Sequence, residues 1–149
     1  MPIHVELVTQ ETKLFEETEA DMVLIPAIEG EMGVLPHHAP VLTTLGFGEL
    51  VIRKGKAEER FVIYGGIVDV RPDKVVILAD MAESSFDLDL EKIEEAKDRA
   101  LEAYTGASDM NTMAIASQSL RRANLAAKVS RKVQSRPSML RILGEDEQH

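Results

Sequence analysis

Glu83-Ser84-Ser85-Phe86-Asp87 is where the chain changes its periodicity, and the fold is decided by what stands on either side of it. Upstream, short apolar runs alternate with Gly- and Pro-rich turns, the pattern of strands. Downstream, Leu90, Ile93, Ala96, Ala100 and Tyr104 recur at helical spacing and share one face. The chain therefore reads as β first and α afterwards, an α+β protein with its two kinds of element segregated.

Going back from that stretch, Val75-Val-Ile-Leu-Ala79 is a strand and Arg71-Pro72-Asp73-Lys74 the turn before it. Ile67, Val68 and Val70 belong to a strand that Gly65-Gly66 separates from Glu59–Tyr64. Lys54-Gly55-Lys56 is a hairpin-like turn. Gly48–Arg53 and Val41–Leu45 read as two strands with a bend at Gly46 and Gly48. Asp21–Pro26, Lys13–Glu17 and Ile3–Gln10 complete the series. Many short strands with such turns between them predict a β-sandwich or barrel.

Going forward, Asp87 is the expected N-cap of a first helix, with Asp89 and Glu91 in its anion-favouring first turn. Gly106 marks its end. A second helix starts near Asp109 or Asn111, with a stripe of Met113, Ala116, Leu120, Ala123 and Ala127, and Pro137 limits it. The short connection makes the pair an antiparallel hairpin. Its faces hold few large side chains and bury little apolar area, so it reads either as a marginal hairpin that detaches or extends or as a stable one packed on the sandwich. The expected domains are 1–85, a β-sandwich; 86–136, the hairpin; and 137–149, a mobile tail.

The net charge is −9, but residues 110–144 hold seven Lys/Arg and no Asp/Glu. Cysteine is absent, which excludes a disulfide framework and cysteine-ligated metal sites. No apolar run is long enough to span a membrane, and the N-terminus lacks a signal core, so a cytosolic or peripheral location is expected.

One stretch is denser in special residues than any other: Glu29-Gly30-Glu31-Met32-Gly33-Val34-Leu35-Pro36-His37-His38-Ala39-Pro40. Glycine permits backbone angles other residues avoid, and proline fixes its own. The stretch predicts a tight turn, a short strand over Met32–Leu35 and a second turn. It reads either as loop punctuation or as a shaped docking surface. His37-His38 makes a poor metal site, because neighbours on an extended chain point to opposite sides and nothing else in the sequence has ligand spacing. Nucleophile-elbow, P-loop and dinucleotide motifs are absent, and no carboxylate pair stands out as general acid and base. The residues read as those of a non-enzyme with no cofactor.

The basic run comprises Arg121, Arg122, Lys128, Arg131, Lys132, Arg136 and Arg141. A basic helix suits nucleic acid, an anionic membrane or an acidic protein partner. The acidic whole and the lack of aromatics in the block disfavour nucleic acid. The same cations are also placed to pair across the hairpin with Glu91, Glu94, Glu95, Asp98 and Glu102. Such pairs are worth about 0–1 kcal/mol each, so they exchange easily for a partner's carboxylates.

Three motifs, Glu29–Pro40, Tyr64-Gly-Gly-Ile-Val-Asp-Val70 and Val76-Ile-Leu-Ala-Asp80, closely resemble the epsilon subunit family of bacterial-type F-type ATP synthases. The resemblance covers residue 3 to about 133 in order. It implies a ten-stranded N-terminal β-sandwich followed by an antiparallel two-helix hairpin. It also implies a non-catalytic rotor subunit that couples ion flow to ATP synthesis, peripheral on the cytoplasmic face of the bacterial inner membrane and without membrane insertion. The family's c-ring-facing loop corresponds to Glu29, Gly30, Glu31 and Met32. The gamma-facing neighbourhood corresponds to Gln10, His38 and Leu42. The resemblance further implies that the hairpin extends along gamma into the alpha/beta hexamer, where Arg121, Arg122, Lys128, Arg131 and Lys132 block ATP hydrolysis. Some members bind ATP in the folded hairpin, which makes a nucleotide sensor the alternative reading. Here Glu83, Asp89, Lys92, Arg99 and Arg122 fall at contact positions. However, Lys92 replaces the family's arginine and loses its planar fork, and Ala126 stands where a further arginine is usual. Weak or absent ATP binding is expected. Gly33→Val is expected to impair docking through backbone geometry more than Glu31→Gln does through charge.

Overall fold

A computed structural model describes residues 2–136 and 140–142. It divides into two units, one built from the residues up to Ser84 together with the C-terminal segment from Ser138, the other from Ser85–Pro137.

The first unit contains β1 (Ile3–Val8), β2 (Lys13–Ala20), β3 (Met22–Ala27), β4 (Gly30–Val34), β5 (Val41–Lys54), β6 (Ala57–Val70), β7 (Lys74–Ala79) and β8 (Ala82–Ser84). The hydrogen-bonded order is β2-β1-β7-β6-β5-β3-β4, and β8 pairs with β6. All pairs are antiparallel except β1 with β7. The sheet folds over so that strands far apart in this order meet. Phe15 on β2 packs against Phe61 on β6, ring centroids 5.4 Å apart, and Glu17 on β2 pairs with Lys54 on β5 at 3.3 Å. Inside lies one apolar core that includes Ile3, Val5, Leu7, Ile25, Leu50, Ile52, Ile63 and Ile77, each fully buried. The alternation of β1, with Ile3, Val5 and Leu7 in and His4, Glu6 and Val8 half-buried, is the period-two signal of a strand covered on one face.

The sandwich class holds, but eight strands are described, not ten. The difference lies in β5 and β6, each 14 residues long. Each was expected as two strands split at glycines. Instead the β5–β6 register runs unshifted from Val41↔Val70 to Lys54↔Ala57. Gly65 (φ 87°) and Gly66 (φ 130°) let β6 turn sharply while its ladder continues. At Gly66 the space for a Cβ is taken: the Leu78 carbonyl oxygen would lie 2.2 Å away. The glycines therefore bend the strand, and β6 pairs with β8 before the bend and with β7 from it onward.

The second unit is a 3-10 turn (Ser85–Asp87) followed by α1 (Leu90–Thr105) and α2 (Met110–Gln134), packed on each other. The N-cap of α1 is Asp89, not Asp87. The Asp89 carboxylate accepts from the Glu91 and Lys92 amides at 3.1 and 3.3 Å, whereas Asp87 belongs to the 3-10 turn. Asp109 caps α2 by accepting from the Thr112 amide at 2.7 Å and its hydroxyl at 3.1 Å. Those bonds hold the Asp109 carboxyl below its ordinary pKa. The buried hairpin residues are small: Ala100 on α1, and Ala116, Ala126, Ala127, Val129 and Ser130 on α2.

The tail expected to be mobile is partly in the sandwich. Leu140–Ile142 lie against β6, with Ile142 fully buried in the core. The reason is chemical: Ile142 enters the core, and Arg141 beside it pairs with the buried Glu59 carboxylate of β6. The other tail residues, 137–139 and 143–149, lie outside the described residues.

Candidate docking surfaces

The dense stretch Glu29–Pro40 resolves into a hairpin tip and a separate turn. β3 and β4 pair from Val23↔Val34 to Ala27↔Gly30, so Ile28 and Glu29 alone make the turn. The resemblance put Gly30, Glu31 and Met32 in the loop, and the residue pattern began the strand only at Met32. They belong to the edge strand β4 instead, which starts at Gly30 and ends at Val34. Gly30 takes φ 135° with open space around it, a conformation that favours glycine. Gly33 is ordinary strand paired with Leu24. Met32 leans on the core, while Ile28 is 65% exposed at the tip beside Glu29. Ile28 went unsingled in the sequence because it looks like the end of an apolar run. Its amide donates to the Thr44 carbonyl at 2.9 Å, which holds the tip against β5.

The second turn is Leu35-Pro36-His37-His38. The His38 amide donates back to the Leu35 carbonyl at 3.2 Å. His37 takes φ 70°. Proline second and a left-handed residue third is the arrangement of a type II turn. A non-glycine residue there costs roughly 1–2 kcal/mol. The His37 amide donates to the Pro72 carbonyl at 2.8 Å, which secures the strained residue. His38 turns its ring to its own neighbour, with Nδ1 at 2.7 Å from the Ala39 carbonyl oxygen.

The outer face of the sheet gathers Gln10 and Leu42 on one side of the sandwich. Cross-strand pairing lines up Thr44, Ile67, Leu78 and Val8 in one row across β5, β6, β7 and β1. Leu42, 73% exposed, stands diagonal to Ile67, and Ile67 and Leu78 are about half exposed. Gln10 borders two shallow adjoining cavities of about 260 and 280 Å3, whose walls include Leu14, Met81, Ile67 and Leu78. Side chains of this kind on a solvent-facing row form an apolar patch, the usual mark of a protein interface. Sequence reasoning found Leu42 and Gln10 but not Ile67, Leu78 or Met81; the alternation in β6 and β7 carried that signal. His38 lies in the connection leading to β5.

On α2, Arg121, Lys128, Arg131 and Lys132 are exposed and Arg122 half-buried. The expected pairing across the hairpin appears as Arg131 Nη2 to Glu94 Oε1 at 3.0 Å, both about half exposed. Arg122 donates to the Ser119 hydroxyl at 3.4 Å. Of the positions that the resemblance matched to nucleotide contacts, Lys92, Arg99 and Arg122 belong to the helical unit and Glu83 to β8. Asp89 is engaged in capping α1.

The β1–β2 pairing forms a cluster that sequence spacing missed. Glu6 lies directly opposite Glu16, and His4 Nε2 is 2.9 Å from Glu16 and 3.5 Å from Glu6. One donor atom from each of the three lies within 4.8 Å of the others, so a metal could be held among these described residues. Lys13 and Lys74 already approach the same carboxylates at 3.3–3.8 Å. The His4 hydrogen bond, then Lys13, lowers the Glu16 pKa to about 2. A cation-compensated carboxylate pair accounts for the cluster.

Sandwich, bent long strands and capped helix pair together define a protein of the β-sandwich and helical-hairpin class. Residues 2–85 match the family model described as ATP synthase, Delta/Epsilon chain, beta-sandwich domain. Over 138 residues the chain is 41% identical to an ATP synthase epsilon chain of Dehalococcoides mccartyi, covering 92% of this chain and 98% of that one. It is 39% identical over 131 residues to the epsilon chain of Herpetosiphon aurantiacus, covering 88% and 96%. A chain in the cryo-EM structure of the Euglena gracilis mitochondrial ATP synthase (OSCP, F1 and c-ring) superposes with a TM-score of 0.74 at 25% identity, covering 83% of this chain and 78% of that one. The chain belongs to the ATP synthase epsilon-chain family.

Proposed function

We propose that this chain is a non-catalytic rotor subunit that docks gamma and the c-ring through its sandwich and restrains ATP hydrolysis through its helices. The observation that carries the docking role is the exposed row of Thr44, Ile67, Leu78 and Val8 with Leu42 and Gln10 beside it. That face would take gamma, with His38 at its margin. The β3–β4 tip, with Ile28, Glu29, Gly30, Glu31 and Met32, would meet polar loops of the c-ring. The two surfaces would let one rigid sandwich transmit torque from ion flow to gamma. The subunit would sit peripherally on the cytoplasmic face of the bacterial inner membrane. Among the described residues no helix is long and apolar enough to cross a membrane.

The inhibitory role rests on the basic α2. Arg131 spends its charge on an exposed pair with Glu94, and such a pair exchanges at little cost for a carboxylate on the alpha/beta hexamer. The test replaces residues 87–136 by a short flexible linker in the assembled synthase. Simple removal of 87–149 would also take Ile142 out of the core. Gamma association and coupled synthesis are expected to persist, while ATP hydrolysis rises at least about fivefold, within the range of an allosteric coupling energy. Unchanged hydrolysis would remove the inhibitory role, and loss of gamma association would remove the docking assignment.

A further inference from the structure

The helical hairpin is an excursion of the chain whose two ends are both fastened to one edge of β6. It leaves from β8, where Ser84 pairs with Phe61. The chain returns at Leu140–Ile142, where Arg141 bridges Glu58 in parallel and the Glu58 amide donates to the Leu140 carbonyl at 3.0 Å. Phe61 and Glu58 are three residues apart on the strand, roughly 10 Å.

The return is held by more than a backbone bond. Glu59 is fully buried on the core-facing parity of β6, between Ala57 and Phe61. Arg141 meets it with both arms, Nε to Oε1 at 3.2 Å and Nη2 to Oε2 at 3.0 Å. A bidentate guanidinium is the strongest pairing available to a carboxylate out of water. Next to it Ile142 is 1% exposed within the sandwich core. A segment of three residues thus supplies an edge-strand bond, an ion pair to a buried carboxylate and a core side chain.

We propose that Leu140–Ile142 are a latch that keeps the hairpin folded, and that they must leave the sandwich before the helices can extend. The inference rests on the reading of α1 and α2 as a movable inhibitory element. Its basis is reach. Helices of 16 and 25 residues laid end to end span about 60 Å. From Gln134 to Leu140 the chain bridges at most about 20 Å. With Ser84 and Leu140 both pinned, α2 must end within about 50 Å of where α1 begins, which the two helices laid end to end do not satisfy. Once the latch is free, this restriction is gone. The latch therefore adds the free energy of undocking to the threshold for inhibition.

The test uses the full chain in the assembled synthase. The sequence has no cysteine, so Glu58→Cys with Arg141→Cys gives a single disulfide across bridged positions that locks the latch. Spin labels attached through non-cysteine chemistry on α1 and α2 report their separation. A second variant, Arg141→Ala, loosens the latch, and thermal unfolding checks that its sandwich stays folded. The expected result is that the oxidised pair never shows helices extended end to end and that reduction restores the extension. Arg141→Ala should raise the separated fraction about tenfold, since truncating one partner strands a buried charge. Separation that proceeds equally with the disulfide closed, or helices that never separate in any variant, would overturn the latch. The linker replacement of 87–136 is measured alongside. If it raises hydrolysis while the locked pair still separates, the latch fails and the inhibitory role stands. If it leaves hydrolysis unchanged while the lock abolishes separation, the inhibitory role fails and the latch stands.

Discussion

Glu16 shows how a side chain's environment is set by a partner across a sheet. Opposite Glu6, two carboxylates would repel, and His4, Lys13 and Lys74 compensate them. The Glu16 pKa falls from 4.5 to about 2, chiefly through the hydrogen bond to His4 and then through Lys13. A carboxyl depressed on folding adds stability that is fully present above its unfolded value and lost as pH falls through the folded one. Unfolding stability should therefore decline from about pH 4.5 to about pH 2. Glu16→Gln should flatten that part of the curve in chemical denaturation at stepped pH. An unaltered acid limb would show that Glu16 does not carry it. Glu58 follows the same logic in a drier place: burial pushes its pKa up, but Arg60 and Arg53 outweigh it and the net shift is downward. His37 is a different residue-scale device, in which the turn after Pro36 requires a left-handed residue and the chain places histidine there.

At the scale of elements, the β3–β4 hairpin relocates its own decisive glycine. Gly30 and Gly33 look alike in sequence, and Gly33 was expected to shape the loop through its backbone. The structure gives the unusual backbone to Gly30, at φ 135°, with nothing near its missing side chain. At Gly33 an added Cβ would meet the flexible Met22 terminus at 3.3 Å and Leu24 at 3.6 Å. Gly30→Val should therefore destabilise the protein by about 1–3 kcal/mol through strain. Gly33→Val should cost less, because a methionine end moves aside easily. Thermal unfolding of the two variants ranks them, and the opposite ranking would place the constraint in packing. The same lesson applies to β5 and β6. A glycine pair marks a break in a sequence, but a ladder continuing through it makes one long bent strand. The capped ends of α1 and α2 were nearly legible, since Asp-rich starts are local signals. Asp87 and Asp89 compete for the cap of α1, and only the geometry selects Asp89.

At the scale of the whole chain, the C-terminal segment belongs to the first unit. Removing residues 137–149 takes one fully buried isoleucine from the core and one partner from a buried ion pair. That should lower the stability of the first unit by about 3 kcal/mol, or roughly 12–24 °C in its unfolding midpoint. Calorimetry on the full and shortened chains measures it. Equal midpoints would mean that Leu140–Ile142 add nothing to the fold.

The sequence by itself determined the order of β then α, the turns outside β5 and β6, the basic block and the three motifs that carry the family. These are local properties: propensity, periodicity and charge are read from neighbours along the chain. Tertiary structure alone decided which glycine is left-handed, that ten expected strands are eight, that His4, Glu6 and Glu16 share a cluster, and that Arg141 reaches Glu59 across 82 positions. Each of those depends on strand register or on closure of a long loop. Such contacts form only when the sheet has brought remote residues together, and no short-range pattern encodes the pairing.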